Sequence, residues 1–119
     1  TDNYGGAATR TYTFSKNETE IAITLATPLP ADAMITKAIM SVTRQIPAGA
    51  EFTVEVCNNG NDDSPTWEDV TQAVNSGSKF FFSNETKTAE SWGFNFRIKV
   101  KRNGASGDCF ISSVGGNFE

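Results

Sequence analysis

Apolar and polar residues alternate with a period of two along most of this chain, the repeat of a strand that buries one face. The clearest run sets Phe94, Phe96, Ile98 and Val100 on one side and Asn95, Arg97, Lys99 and Lys101 on the other. Phe52, Val54 and Val56 alternate with Thr53, Glu55 and Cys57. Thr19, Ile21, Ile23 and Leu25 alternate with Glu20, Ala22, Thr24 and Ala26, and Tyr12 and Phe14 with Thr11 and Thr13. Ala38, Met40 and Val42 share a face opposite Ile39, Ser41 and Thr43. Turn formers separate these runs: Pro28-Leu29-Pro30, Pro47-Ala48-Gly49, the polar stretch Asn58 to Pro65, Asn75-Ser76-Gly77-Ser78 and Asn103 to Asp108. Asn103-Gly104 is a pair suited to the left-handed angles of a hairpin turn.

Only Glu68 to Asn75 reads as helical, for about two turns at most, with Asp69 or Thr71 as its cap. Roughly seven or eight strands at near-regular spacing predict an all-β fold, an antiparallel β-sandwich or barrel. Residues 1–8, with Gly5, Gly6, Ala7 and Ala8, read as a leading linker, and 9–119 as one β-sandwich domain. A start at Thr1, without Met or a signal segment, suggests a domain cut from a longer chain or a processed product.

The 119 residues carry a net charge of −4, which argues against a nucleic-acid partner. No apolar run approaches the ~20 residues of a membrane helix, so no membrane insertion is expected. Histidine is absent, which removes the usual activator of a serine or cysteine nucleophile. Paired carboxylates could cleave glycosides, and Glu68 with Asp69 or Asp62 with Asp63 are the pairs on offer. Neighbours on a strand point to opposite faces and neighbours in a loop are mobile, so the chain reads as non-catalytic, without a cofactor.

The oxygen-rich loop is the richest stretch for binding. Asn59, Asn61 and Asp63 alternate as in the first half of a calcium loop, but Ser64 and Val70 stand where glycine and the late glutamate belong. A solvated turn is favoured over a calcium site. Trp67 reads as a plug at the end of the core, and Trp92 as a continuation of the Phe94 and Phe96 face. In Phe80-Phe81-Phe82 the alternation sends Phe81 away from its neighbours, toward solvent or a partner. Tyr4 in the leading segment is also free to touch a partner. Asn59, Asn61, Asp62, Asp63 and Phe81 are therefore the candidate ligand-binding residues. Arg97, Lys99, Lys101 and Arg102 form an outward basic row, expected to pair across strands with Glu51 and Glu55. Cys57 and Cys109 fit no metal spacing; a disulfide between them is open, and two free, half-buried thiols is the favoured reading. Asn17-Glu18-Thr19 and Asn84-Glu85-Thr86 match the glycosylation pattern and also read as polar turns.

The order Glu51-Phe52-Thr53-Val54-Glu55-Val56, polar loop, Trp67, Val70-Thr71 and Phe96-Arg97-Ile98-Lys99-Val100 resembles the discoidin-like, galactose-binding-domain-like jelly rolls. The cysteines depart from that pattern, being internal, and no ligand residue carries over. Pro65 to Thr71 and the close Ile111 to Phe118 resemble small β-modules of phage tail and baseplate structural proteins. These resemblances imply a non-catalytic module of a phage-like tail or virion protein, extracellular, with glycans or other subunits as partners and an oligomer open. The alternative is a carbohydrate-binding module of a bacterial secreted or cell-surface protein.

Overall fold

The computed structural model describes residues 6–11 and 20–119. Among them lie nine strands: β1 (Gly6–Thr11), β2 (Glu20–Thr24), β3 (Leu29–Ala31), β4 (Lys37–Gln45), β5 (Glu51–Cys57), β6 (Glu68–Asp69), β7 (Phe80–Phe81), β8 (Trp92–Lys101) and β9 (Phe110–Phe118). One helix, α1 (Thr71–Ser76), precedes β7. The Tyr12 and Phe14 alternation and Tyr4 lie outside the described residues.

Two antiparallel sheets form, in the orders β1-β9-β4-β7 and β2-β8-β5-β6. Strands β2 and β3 meet the same edge of β8 in succession, Glu20 to Thr24 against Lys101 to Arg97 and then Leu29 to Ala31 against Phe94 to Trp92. Counted as one interrupted strand, they make the orders 1-8-3-6 and 2-7-4-5, the interlocked Greek keys of a jelly roll. The chain is thus an all-β sandwich, as the period-two pattern predicts.

The inward residues make one core. Ala38, Met40 and Val42 of β4 alternate with exposed neighbours and face Val54, Val56, Ile98 and Val100 of the other sheet. The rings of Phe94 on β8 and Phe118 on β9 stack at 4.8 Å, joining the sheets. The β4–β9 register shifts between Thr43 and Arg44. This bulge leaves Ser112 unpaired and lets both Ile111 and Val114 point inward. At Gly116 a Cβ would stand 2.5 Å from the Ile39 carbonyl oxygen, so β9 can lie this close to β4 only with glycine there.

Asn95 sits where the interrupted strand breaks. Its side chain accepts from the Leu25 N–H at 3.2 Å and donates to the Leu25 carbonyl at 3.2 Å. An amide side chain thereby supplies the two bonds a neighbouring strand would have made. Alternation alone assigns Asn95 to the solvent side, but it is buried for this reason.

Several local expectations need correction. Gly6, Ala7 and Ala8 pair with Phe118, Asn117 and Gly116, so the domain begins before residue 9. Pro28-Leu29-Pro30 does not simply break the chain. Leu29 and Pro30 enter β3, an edge strand, where a missing N–H is tolerated. Cys57 closes β5 fully buried, and the chain beyond it stays against β8, with Asn59 bridged to Gly93. The helix overlaps the expected stretch but ends one residue beyond it, at Ser76, and its N-cap is Val70, without a side-chain cap bond. Asp69 instead accepts the Thr71 N–H, and the Thr71 hydroxyl turns to β5, accepting from Val54 at 2.9 Å. Asn103 and Gly104 do take positive φ, 52° and 77°. They join strands of different sheets, so the turn is an arch and not a hairpin.

Candidate functional site

Most of the loop after β5 is occupied in holding the chain together. The stretch after β7, residues 83–91, contains no strand or helix. Its backbone groups need partners, and the loop side chains provide them. Asn58, wholly buried, donates to the carbonyls of Ile35 and Asn84 and accepts from the Asn84 amide at 2.8 Å. Asn59, only 3% exposed, donates to the Thr86 carbonyl and the Thr66 hydroxyl and accepts the Thr66 N–H. Asn61 directs its amide at Ser91. Asp62 accepts the N–H groups of Thr88 and Ala89, each at 2.9 Å, one on each oxygen. Glu68 does the same for Ser83 and Asn84 at 2.9 and 3.1 Å.

These bonds decide what the loop can do chemically. The Ala89 and Thr88 N–H groups hold the Asp62 carboxyl below the usual carboxylate range. Both oxygens of Asp62, and both of Glu68, are taken up by backbone N–H groups. Asn59 has its carbonyl oxygen turned to Thr66, which takes it out of an alternating ligand set. Among the described residues no three His, Cys, Asp or Glu side chains gather as a metal site. Asp63 is exposed. The Asn84 amide nitrogen donates to both Asn58 and Thr86, so the glycosylation pattern there also has a structural use.

Trp67 does not plug the core. It lies half-buried on the outer side of the second sheet, with the Arg97 guanidinium 4.3 Å above its ring. Arg97 also donates to Glu55 at 2.7 Å, the cross-strand pair expected from the register, in which Glu51 stands opposite Lys101. The basic row is therefore partly neutralised by its neighbours. Trp92 is likewise half-buried, with the Lys87 ammonium 5.8 Å from its ring. Cys57 and Cys109 are free thiols, both fully buried and not half-buried. Burial pushes the Cys57 thiol up to about 11, away from the reactive thiolate.

The outer face of the first sheet differs. Phe80 and Phe82 pack on the core with their rings edge-to-face at 5.4 Å, and Phe81 is left 65% exposed. Phe81 stands opposite Lys37 in register, and Ile39, two residues on, is 38% exposed on the same face. These are the exposed large hydrophobic residues among the described part of the chain. Lys37 reaches Glu119 at 2.6 Å, and Asn117 pairs opposite Ile39. A depression of about 170 Å³ lies here, lined by Lys37, Ile39, Lys79, Asn117 and Glu119.

The structure thus separates the five candidate residues. Asn59, Asn61, Asp62 and Asp63 stay together at the end of β5, while Phe81 stands on an edge strand of the other sheet. Asn58, Asn84 and Glu68 hold the loop, a role the sequence does not signal: it offers Glu68 as one of a carboxylate pair, Asn84 as a glycosylation acceptor and Asn58 only as part of a polar stretch. Ile39 carried a readable signal, an aliphatic side chain at an outward position. Lys79, Asn117 and Glu119 carried none, because only strand pairing brings them together.

An apolar crevice near Leu29, Met40, Phe94 and Phe118 measures about 20 Å³, room for about one water. No helix among the described residues is long and apolar enough to cross a membrane. Compared with known proteins, the chain matches no family model, no curated protein and no solved structure.

Proposed function

We propose that this chain is a non-catalytic jelly-roll module of a phage or phage-like tail or virion structural protein, working outside the cell in assembly or in recognition of a host-surface glycan. The supporting observation is a contrast between two surfaces. The polar loop most suited to chemistry spends Asn58, Asn59 and Asp62 on the backbone of neighbouring segments, whereas Phe81 and Ile39 are left exposed on a sheet face. A rigid scaffold with an open aromatic patch suits contact with a partner more than turnover. Its strand order is that of capsid and lectin jelly rolls, an analogy of fold and not of site. The resemblance to galactose-binding-like modules points the same way.

The second reading, a carbohydrate-binding module of a bacterial secreted or cell-surface protein, is favoured by the exposed Phe81 ring beside polar groups. Neighbouring tail genes or glycoside hydrolase genes separate the two. A glycan array probed with the 119-residue chain tests recognition itself. Binding of a surface glycan without its hydrolysis is the expected result. Silence across the array leaves assembly as the role, and turnover of a bound glycan contradicts both readings.

A further inference from the structure

We propose that the outer face of β4, β7 and β9 holds one sugar residue of a glycan, with Phe81 as the stacking plane. The inference rests on the glycan-recognition reading above and moves the contact away from the loop after β5. A pyranose has an apolar C–H face and a rim of hydroxyls. It needs a flat ring on one side and mixed donors and acceptors at the edge. Phe81 offers the ring, 65% exposed, and is held outward because Phe80 and Phe82 anchor β7 in the core. Its register partner Lys37 lines the adjoining depression, which Phe81 flanks without lining; there Asn117 contributes an amide and the Lys37–Glu119 pair, 2.6 Å apart, contributes an ammonium and a carboxylate.

Size selects the occupant. The depression, about 170 Å³, is below the roughly 300–1,000 Å³ of sites that enclose a drug-sized ligand. It suits one small polar ring of a chain that continues over the surface. A second copy of this protein fits less well. A stable interface needs about 800 Å² from each partner. Phe81 and Ile39 together supply a fraction of that, at roughly 150–250 Å² for an aromatic side chain. Lys79 adds a positive charge to the rim, so an acidic sugar should bind more tightly there than its neutral counterpart.

The test is calorimetric titration of the 119-residue chain with cellohexaose, chitohexaose and a galacturonic acid hexamer, with any glycan positive on the array added. Phe81→Ala should weaken binding tenfold or more, while Phe81→Tyr retains it. Lys79→Ala should weaken the acidic ligand and leave neutral ones unchanged. Light scattering on each variant reports the oligomeric state, and a melting curve confirms folding. Undiminished saccharide binding by Phe81→Ala overturns this site and leaves the glycan reading standing. Absence of binding to every saccharide overturns both. A loss of oligomer mass in Phe81→Ala, without saccharide binding by the parent chain, assigns the face to subunit contact instead.

Discussion

Two buried polar groups show how single residues define this fold. Asn95 stands in for a missing stretch of strand, bonding both the N–H and the carbonyl of Leu25. Asn95→Ala leaves those groups unsatisfied at a part-buried edge, a loss of about 2–3 kcal/mol. For a domain of this size that lowers Tm by roughly 6–12 °C, read by differential scanning calorimetry. A drop under about 2 °C would mean that water replaces the amide without penalty. The Cys57 thiol, pushed up to about 11 by burial, should resist a thiol reagent at pH 8 until denaturant is added. The fold favours its neutral form. Its contribution to stability is therefore complete below the ordinary value of 9.0 and is lost as pH rises toward 11. Fast labelling of Cys57 in the native protein would contradict the buried placement. Neither residue was legible in the pattern, because alternation gives a face and says nothing about what lies over the end of a strand or opposite a break.

At the scale of elements, the loop after β5 and the stretch 83–91 form one unit held by side-chain-to-backbone bonds. Asp62 is the part that responds to pH. Its folded carboxyl titrates below the ordinary range, so its contribution is present above that range and is lost as pH falls through it. Asp62→Asn should therefore lower Tm at pH 7 and make little difference near pH 2. Amide hydrogen exchange at Thr88 and Ala89 should quicken in the variant at pH 7, with the β8 amides unchanged. Equal exchange in both proteins would show that the staple contributes nothing. The strands themselves were readable from their period, as β4 and β8 illustrate. The loop's role was not, since Asn, Asp and Gly in a run look the same whether they bind solvent, an ion or their own backbone.

For the molecule as a whole, the strand order sets which surfaces remain for a partner. The jelly-roll connection leaves β7 as a two-residue edge, and its short run turns Phe81 outward while its neighbours stay in the core. The outward ring was legible from Phe80-Phe81-Phe82 alone. Its company was not, because Lys37, Asn117 and Glu119 come from β4 and the end of the chain and meet only through sheet register. In the proposed function, recognition uses this sheet face while the polar loop is structural. The most direct measurement is a two-dimensional amide NMR titration of the labelled chain with the tightest-binding saccharide. Shifts confined to Lys37, Ile39, Lys79, Phe81 and Asn117 are expected, with Asn59 to Asp63 unmoved. Shifts centred on Asn59 to Asp63, with the sheet face silent, would contradict it.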